Sequence, residues 1–331
     1  MICRMPQTAT STPSRPRAAQ ASPWEDRMTD LPATASSTPG PADPVPGSRL
    51  VRRHRWPVRL MHWINVVTLT VMLGSGLQIF NAHPQLYWGQ RSDADKAILS
   101  LSATQSANGQ LHGQTRIGSW QVDSTGLFGV SKVDGMPQVR GFPAWMTIPG
   151  PGWLALGRRW HLFFAWLFVI NGFCYLTYAL ISRHLQRDLW PTRADWRGIG
   201  RSILDHLRLR HPHGEAELRY NILQKLAYLT VIVVFGGGIV LMGLALSPRM
   251  DTVLKWLLDA VGGRQSARTI HFLIALGFVL FVLIHLFEVL ISGPLNQLRG
   301  MITGRYRLRA AKPADTIQNT TIQNTESSRH A

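Results

Sequence analysis

Four histidines stand inside long apolar stretches of this chain: His62, His161, His271 and His285. An imidazole in such surroundings needs a partner, because an unsatisfied polar group in hydrocarbon costs several kcal/mol. One alone reads most simply as an interhelical hydrogen bond. Four at matched depths read differently. His271 and His285 are fourteen residues apart, which in an α-helix is about 21 Å of rise and close to four whole turns, so both point to nearly one face. His161 opens the second apolar stretch and His62 the first. With helices alternating in direction, His161 falls level with His271, and His62 level with His285.

Each couple offers two imidazoles from different helices and no thiolate. Tetrahedral zinc takes three or four ligands. Di-iron bundles use Glu-x-x-His on paired helices, whereas His285-x-x-Glu288 has the reverse order and stands alone. Haem supplies four equatorial nitrogens itself, so two axial histidines suffice. The spacing therefore predicts two haem b groups, an outer one between His161 and His271 and an inner one between His62 and His285. Glu288 is the one carboxylate inside a span. It is a candidate proton relay, with a hydrated residue near the membrane surface as the equal alternative.

The elements that must position these residues are four apolar runs, at about 60–80, 160–181, 226–246 and 270–291. Roughly 20 helical residues cross a hydrocarbon core of about 30 Å. Arginines mark the flanks: Arg52, Arg53, Arg55 and Arg59 before the first run, Arg183 to Arg201 after the second, Arg299 to Arg309 after the fourth. By the positive-inside rule both termini and the 182–225 loop are cytoplasmic, and the 81–159 loop is outside. The expected fold is an all-α, multi-pass membrane protein: a four-helix di-haem bundle with an enlarged outer loop between helices 1 and 2. Gly74, Gly76, Gly172, Gly236 to Gly238 and Gly277 would give either room for macrocycles or close helix packing. Arg59, Arg158, Arg159 and Arg268 flank the histidines and could meet haem propionates, or serve as topology signals.

The 331 residues carry a net charge of +17 at a mean hydropathy of only +0.01, because polar ends flank the apolar middle. Residues 1–50 are rich in Pro, Ser, Ala and Thr and are expected to be disordered, as is 309–331; 51–308 is the membrane domain. No apolar signal-peptide core precedes residue 50, and Met28 serves equally as a start. Arginines at the ends of apolar runs suit anionic lipid, which argues against nucleic acid as a partner. Cys3 and Cys174 form no CxxC, which disfavours c-type haem attachment, iron–sulfur clusters and thiolate zinc. His211-Pro212-His213 reads as a solvated loop ahead of a metal site.

At Arg59-Leu60-Met61-His62-Trp63, Arg158-Arg159-Trp160-His161 and the His271/His285 interval the chain resembles the bacterial cytochrome b561 and nickel-hydrogenase b-type cytochrome family. The fourteen-residue interval is similar to that of formate dehydrogenase gamma-type subunits. The resemblance spans about 54–306. It implies a bacterial inner-membrane subunit that transfers electrons between the quinone pool and a partner redox subunit. The enlarged outer loop departs from the family and favours a periplasmic molybdopterin oxidoreductase docking there over a hydrogenase. Two other readings remain open: a stand-alone superoxide:quinone oxidoreductase of the same fold, and a haem-free transporter.

Overall fold

Backbone polar groups inside a bilayer must be satisfied within the chain, so an apolar run of this length folds as a helix. The computed structural model describes residues 49–150, 152–183, 185–208, 221–250 and 252–308. The tail expectations for 1–48 and 309–331, and those for His184, His211 and His213, lie outside the described residues. Four helices are long and apolar enough to cross a membrane: Trp56–Phe80, Leu154–Ile181, Ile222–Ala245 and Arg264–Ile291. Each begins four to six residues before its hydropathy run (56 for 60, 154 for 160, 222 for 226, 264 for 270). The added turns carry Arg59, Arg158, Arg159, Lys225, Arg264 and Arg268. Charge lowers hydropathy there without breaking the helix.

The chain enters through β1 (Arg49–Arg52) and α1 (Trp56–Phe80), with Pro57 in its first turn, where a missing N–H costs no hydrogen bond. Between α1 and the second span, where an enlarged outer loop is expected, lies a folded β insertion. Strands β2 (Gln85–Leu86), β3 (Leu99–Gln105), β4 (Leu111–Ile117) and β5 (Trp120–Asp123) form an antiparallel sheet in that order. β6 (Gly129–Val133) and β7 (Met136–Arg140) form a hairpin beside it. The expectation of an all-α fold is corrected here. The turns explain why: Asp134 and Gly135 both have positive φ, 50° and 82°, the requirement of a two-residue I′ turn. Gly118, φ 59°, opens the two-residue turn between β4 and β5. The two layers approach so closely that a Cβ on Gly129 would lie 2.1 Å from the Ser102 carbonyl, and one on Gly113 2.1 Å from that of Phe128.

The chain continues through α2 (Leu154–Ile181), a π turn at Leu185–Leu189, α3 (Arg193–Arg197) and α4 (Ile199–Leu207). A capping box formed by Thr192 and Asp195 starts α3. The third span is α5 (Ile222–Leu229), a π-helical stretch Thr230–Gly236, and α6 (Gly237–Ala245). Then follow α7 (Lys255–Ala260), α8 (Arg264–Ile291), α9 (Pro294–Thr303) and β8 (Arg305–Leu308). β8 pairs antiparallel with β1, so one end of the bundle carries this ribbon and the other carries the β insertion.

The helices associate as two pairs. α1 runs along α2, and the third span along α8, whereas close backbone approaches between the pairs are few. Little of the third and fourth spans is buried by the protein itself. A cluster of Leu77, Phe80, Leu86, Leu101 and Phe142, with Phe272 of α8 packed against it, seats the insertion on the bundle. The insertion also caps α8: the Gly89 carbonyl accepts from the backbone N–H of Gln265 (3.1 Å) and Ser266 (3.2 Å), and the Thr269 hydroxyl donates to the Tyr87 carbonyl at 2.6 Å. These bonds satisfy donors that a helix start otherwise leaves orphaned.

Candidate functional site

Across the division between the helix pairs, two histidine couples face each other. The rings of His161 (α2) and His271 (α8) have centroids 6.2 Å apart at 63°. Those of His62 (α1) and His285 (α8) are 6.3 Å apart at 59°. Each joins the α1–α2 pair to α8. Two imidazoles bound on opposite sides of one metal, each through a nitrogen at about 2 Å, would have centroids about 6 Å apart. The Nδ1 atoms of His62 and His271 are buried without a well-formed hydrogen bond; His271 makes only a marginal approach to the Ile239 backbone. Facing rings at that spacing suit a metal held between them. Among the described residues no three His, Cys, Asp or Glu side chains gather to hold an ion, so the metal's other ligands must come with it. A haem fits that requirement.

The couple at the β end is firmly held. His161 Nδ1 lies 3.2 Å from the Met72 carbonyl and 3.1 Å from Ser75 Oγ. A carbonyl only accepts, so the proton sits on Nδ1 and Nε2 keeps its lone pair for a metal. The fully buried Ser75 is itself fixed, donating to the Val71 carbonyl at 2.7 Å. A Cβ on Gly76 would lie 3.4 Å from the His161 ring, and one on Gly243 3.5 Å from that of His271, so glycine lets each imidazole lie close against a neighbouring helix.

Support at the ribbon end is aromatic. His285 stacks on Phe281, centroids 6.0 Å apart at 13°, and His62 meets Trp63 edge-on at 5.4 Å. Asn171 of α2 donates to the Met61 carbonyl (3.0 Å) and to Asn65 (2.8 Å), locking α1 beside His62. Arg59 caps the last turn of α9 through the Met301 carbonyl (3.2 Å) and that of Ile302. Its guanidinium is thereby engaged.

Of the other residues singled out, Arg158 and Arg159 are exposed, and Arg268 donates to the His83 carbonyl and lies over the Phe80 ring. Glu288 is half-buried on α8, one turn past His285. His83 stacks on Tyr87, and burial lowers its pKa, with Arg268 adding to the effect. His112 lies 3.5 Å from Asp123. The candidate glycines divide. Gly74, Gly238 and Gly277 are spent on contacts with Ile148, Ile274 and Phe235, while Gly172 and Gly237 face open space. Ser75, Asn171 and Arg140 were not anticipated. The first two are polar residues within apolar runs, a signal that was available; Arg140 lies in the insertion and carried none.

A family model described as prokaryotic cytochrome b561 matches residues 126–304, more than half of the chain. The chain belongs to the prokaryotic cytochrome b561 family. It is thus a multi-pass membrane b-type cytochrome with a role in electron transfer. His161, His271 and His285 fall inside the matched range and His62 before it. The cytochrome is also similar to the putative protein-methionine-sulfoxide reductase subunit YedZ1 of Azospira oryzae, 33% identical over 138 residues. That match covers 40% of this chain and 65% of the relative, so the chain spans just under two thirds of the protein it resembles. No solved structure matches the chain. The haem-binding family sets aside the haem-free transporter.

Proposed function

We propose that this cytochrome is a di-haem subunit linking the quinone pool to a partner oxidoreductase docked on the β insertion, in a bacterial inner membrane. The observation that carries the reading is the pair of cross-helix histidine couples, 6.2 and 6.3 Å between centroids. His161 and His271 hold one haem b, His62 and His285 the other. Bound there, haem b would supply one-electron exchange, with these four histidines as the residues that would hold it.

The chain's own residues do the rest. Met72 and Ser75 hold the proton on His161 Nδ1 and aim Nε2. The apolar helix faces keep water from the irons. The about 21 Å of rise between His271 and His285 sets the two sites near opposite membrane faces. Quinone chemistry also moves protons, and Glu288, one turn beyond His285, is the carboxylate able to hold one at that end. Arginine placement supports the ribbon end as cytoplasmic and the β insertion as periplasmic. The relative's name, a subunit of a reductase, supports a partner enzyme over a stand-alone superoxide:quinone oxidoreductase.

The test is reduction of the b-type absorbance by a quinol analogue in purified protein. Wild type is expected to be reduced, and Glu288→Gln to be reduced severalfold more slowly with an intact haem spectrum. A wild-type spectrum that quinol leaves oxidised would remove the quinone link; unchanged rates in Glu288→Gln would remove the relay.

A further inference from the structure

Arg140, the last residue of β7, is 8% exposed. Its guanidinium is held by three neutral acceptors: Nε donates to the Phe142 carbonyl at 3.3 Å, and Nη2 to Gln78 Oε1 at 3.2 Å and Thr147 Oγ1 at 3.3 Å. Among the described residues Nη1 has no hydrogen bond, and no carboxylate lies near enough to offset the charge. Burial alone lowers its pKa. Burying an unpaired charge is costly, and proteins pair such a group or give it an anionic ligand.

The position of the charge narrows the ligand. Gln78 sits three residues past Ser75 on α1 and packs on Gly157, which is four residues before His161 on α2. Ser75 holds His161. Arg140 therefore lies about one helical turn beyond the His161 level, toward the β end, on the same α1–α2 face. The arginines flanking the site by sequence are otherwise placed: Arg268 is turned to His83, and Arg158 and Arg159 are exposed.

We propose that Arg140 receives a carboxylate of the cofactor held by His161 and His271, a haem propionate, so that the β insertion supplies a binding residue for the haem at its own end. This rests on the di-haem reading above. A cation held there stabilises the reduced, less positive iron, so it raises the midpoint potential of that haem and leaves the ribbon-end haem nearly untouched, because Coulomb energy falls with distance.

The experiment is a redox titration of Arg140→Met and Arg140→Lys beside wild type, with resonance Raman of the propionate bending band. The β-end component is assigned by its absence in His271→Ala. In Arg140→Met both haems stay bound. At the wild-type midpoint the oxidised-to-reduced ratio of the β-end haem rises about tenfold, 59 mV for a one-electron couple, and the propionate band shifts. Arg140→Lys, which keeps the charge, stays within about threefold of wild type. Should Arg140→Met fail to fold, Arg140→Gln removes the charge while keeping a polar side chain and carries the same test. Two bound haems with unchanged potentials, or an unchanged propionate band, would overturn the assignment and give the guanidinium to another carboxylate. Wild type without haem would overturn the reading of the site itself.

Discussion

The two histidine couples share a ring geometry and differ in what stands behind it. At the β end His161 is fixed by a backbone carbonyl and a buried serine, and a folded insertion packs over the end of the bundle. At the ribbon end, rings of Phe281 and Trp63 support the imidazoles, His62 Nδ1, like His271 Nδ1 at the β end, lacks a well-formed hydrogen bond, and α9 and a two-stranded ribbon close the bundle. Hydrogen-bonded outer groups orient ligands and raise their basicity, while aromatic packing fixes a ring with little electronic effect. One helix, α8, thus contributes to two sites of different stiffness and polarity. On the proposed reading, the polar contacts at the β end would fix the orientation of its group more tightly than the aromatic packing at the ribbon end.

Removing a histidine cuts deepest into that comparison. His271→Ala is expected to halve the haem-to-protein ratio by emptying the β-end site alone, and His285→Ala to empty the ribbon-end site alone; pyridine haemochrome counts read both. Next comes Gly129→Ala, which drives a Cβ to 2.1 Å from the Ser102 carbonyl at a φ of 79°. A cost of about 3 kcal/mol to the insertion follows. Limited proteolysis within 85–140 should accelerate, and the β-end haem should shift spectrally while the ribbon-end haem stays as it was.

Ser75→Ala sharpens the contrast more gently. Losing this outer contact should weaken haem retention at the β end about tenfold, measured by transfer to apomyoglobin, with the ribbon-end haem unaffected. If both haems loosened alike, the difference in support between the ends would be imaginary. The smallest effect lies away from both couples. Asp195 accepts a hydrogen bond from Lys225 at 2.8 Å, which with the Thr192 contacts holds its pKa at about 2. Its folded pKa is depressed, so the stabilisation is fully present above about pH 4 and is lost as pH falls through about 2. Asp195→Ala should cost about 1 kcal/mol at neutral pH through the lost cap and ion pair, and little below pH 2, in thermal unfolding monitored in detergent.

Much of the bundle was legible because hydropathy and helical spacing are local properties. The four spans contain the apolar runs and end within a residue of where they end, and the fourteen-residue interval alone puts His271 and His285 on one face. The depth-matched sets expected from the sequence are the sets whose rings meet. A loop is expected at 81–159, although Asn108-Gly109 and Asp134-Gly135 are hairpin turn signals beside alternating residues such as Leu99 to Gln105. The π-helical stretch Thr230–Gly236 has no distinct hydropathy signature. Arg140 was invisible for a deeper reason. Its burial depends on a strand end meeting Gln78 and Thr147, contacts 62 and 7 residues away in sequence, and no local pattern announces a tertiary pocket.

The most direct test of two bis-histidine sites is a haem count joined to electron paramagnetic resonance of the oxidised, purified protein. Two haem b per chain are predicted, both low-spin, with no high-spin ferric signal. One haem per chain, or a high-spin centre at full occupancy, would contradict it, and His62, which lies before the family-matched range, would be the first ligand to abandon.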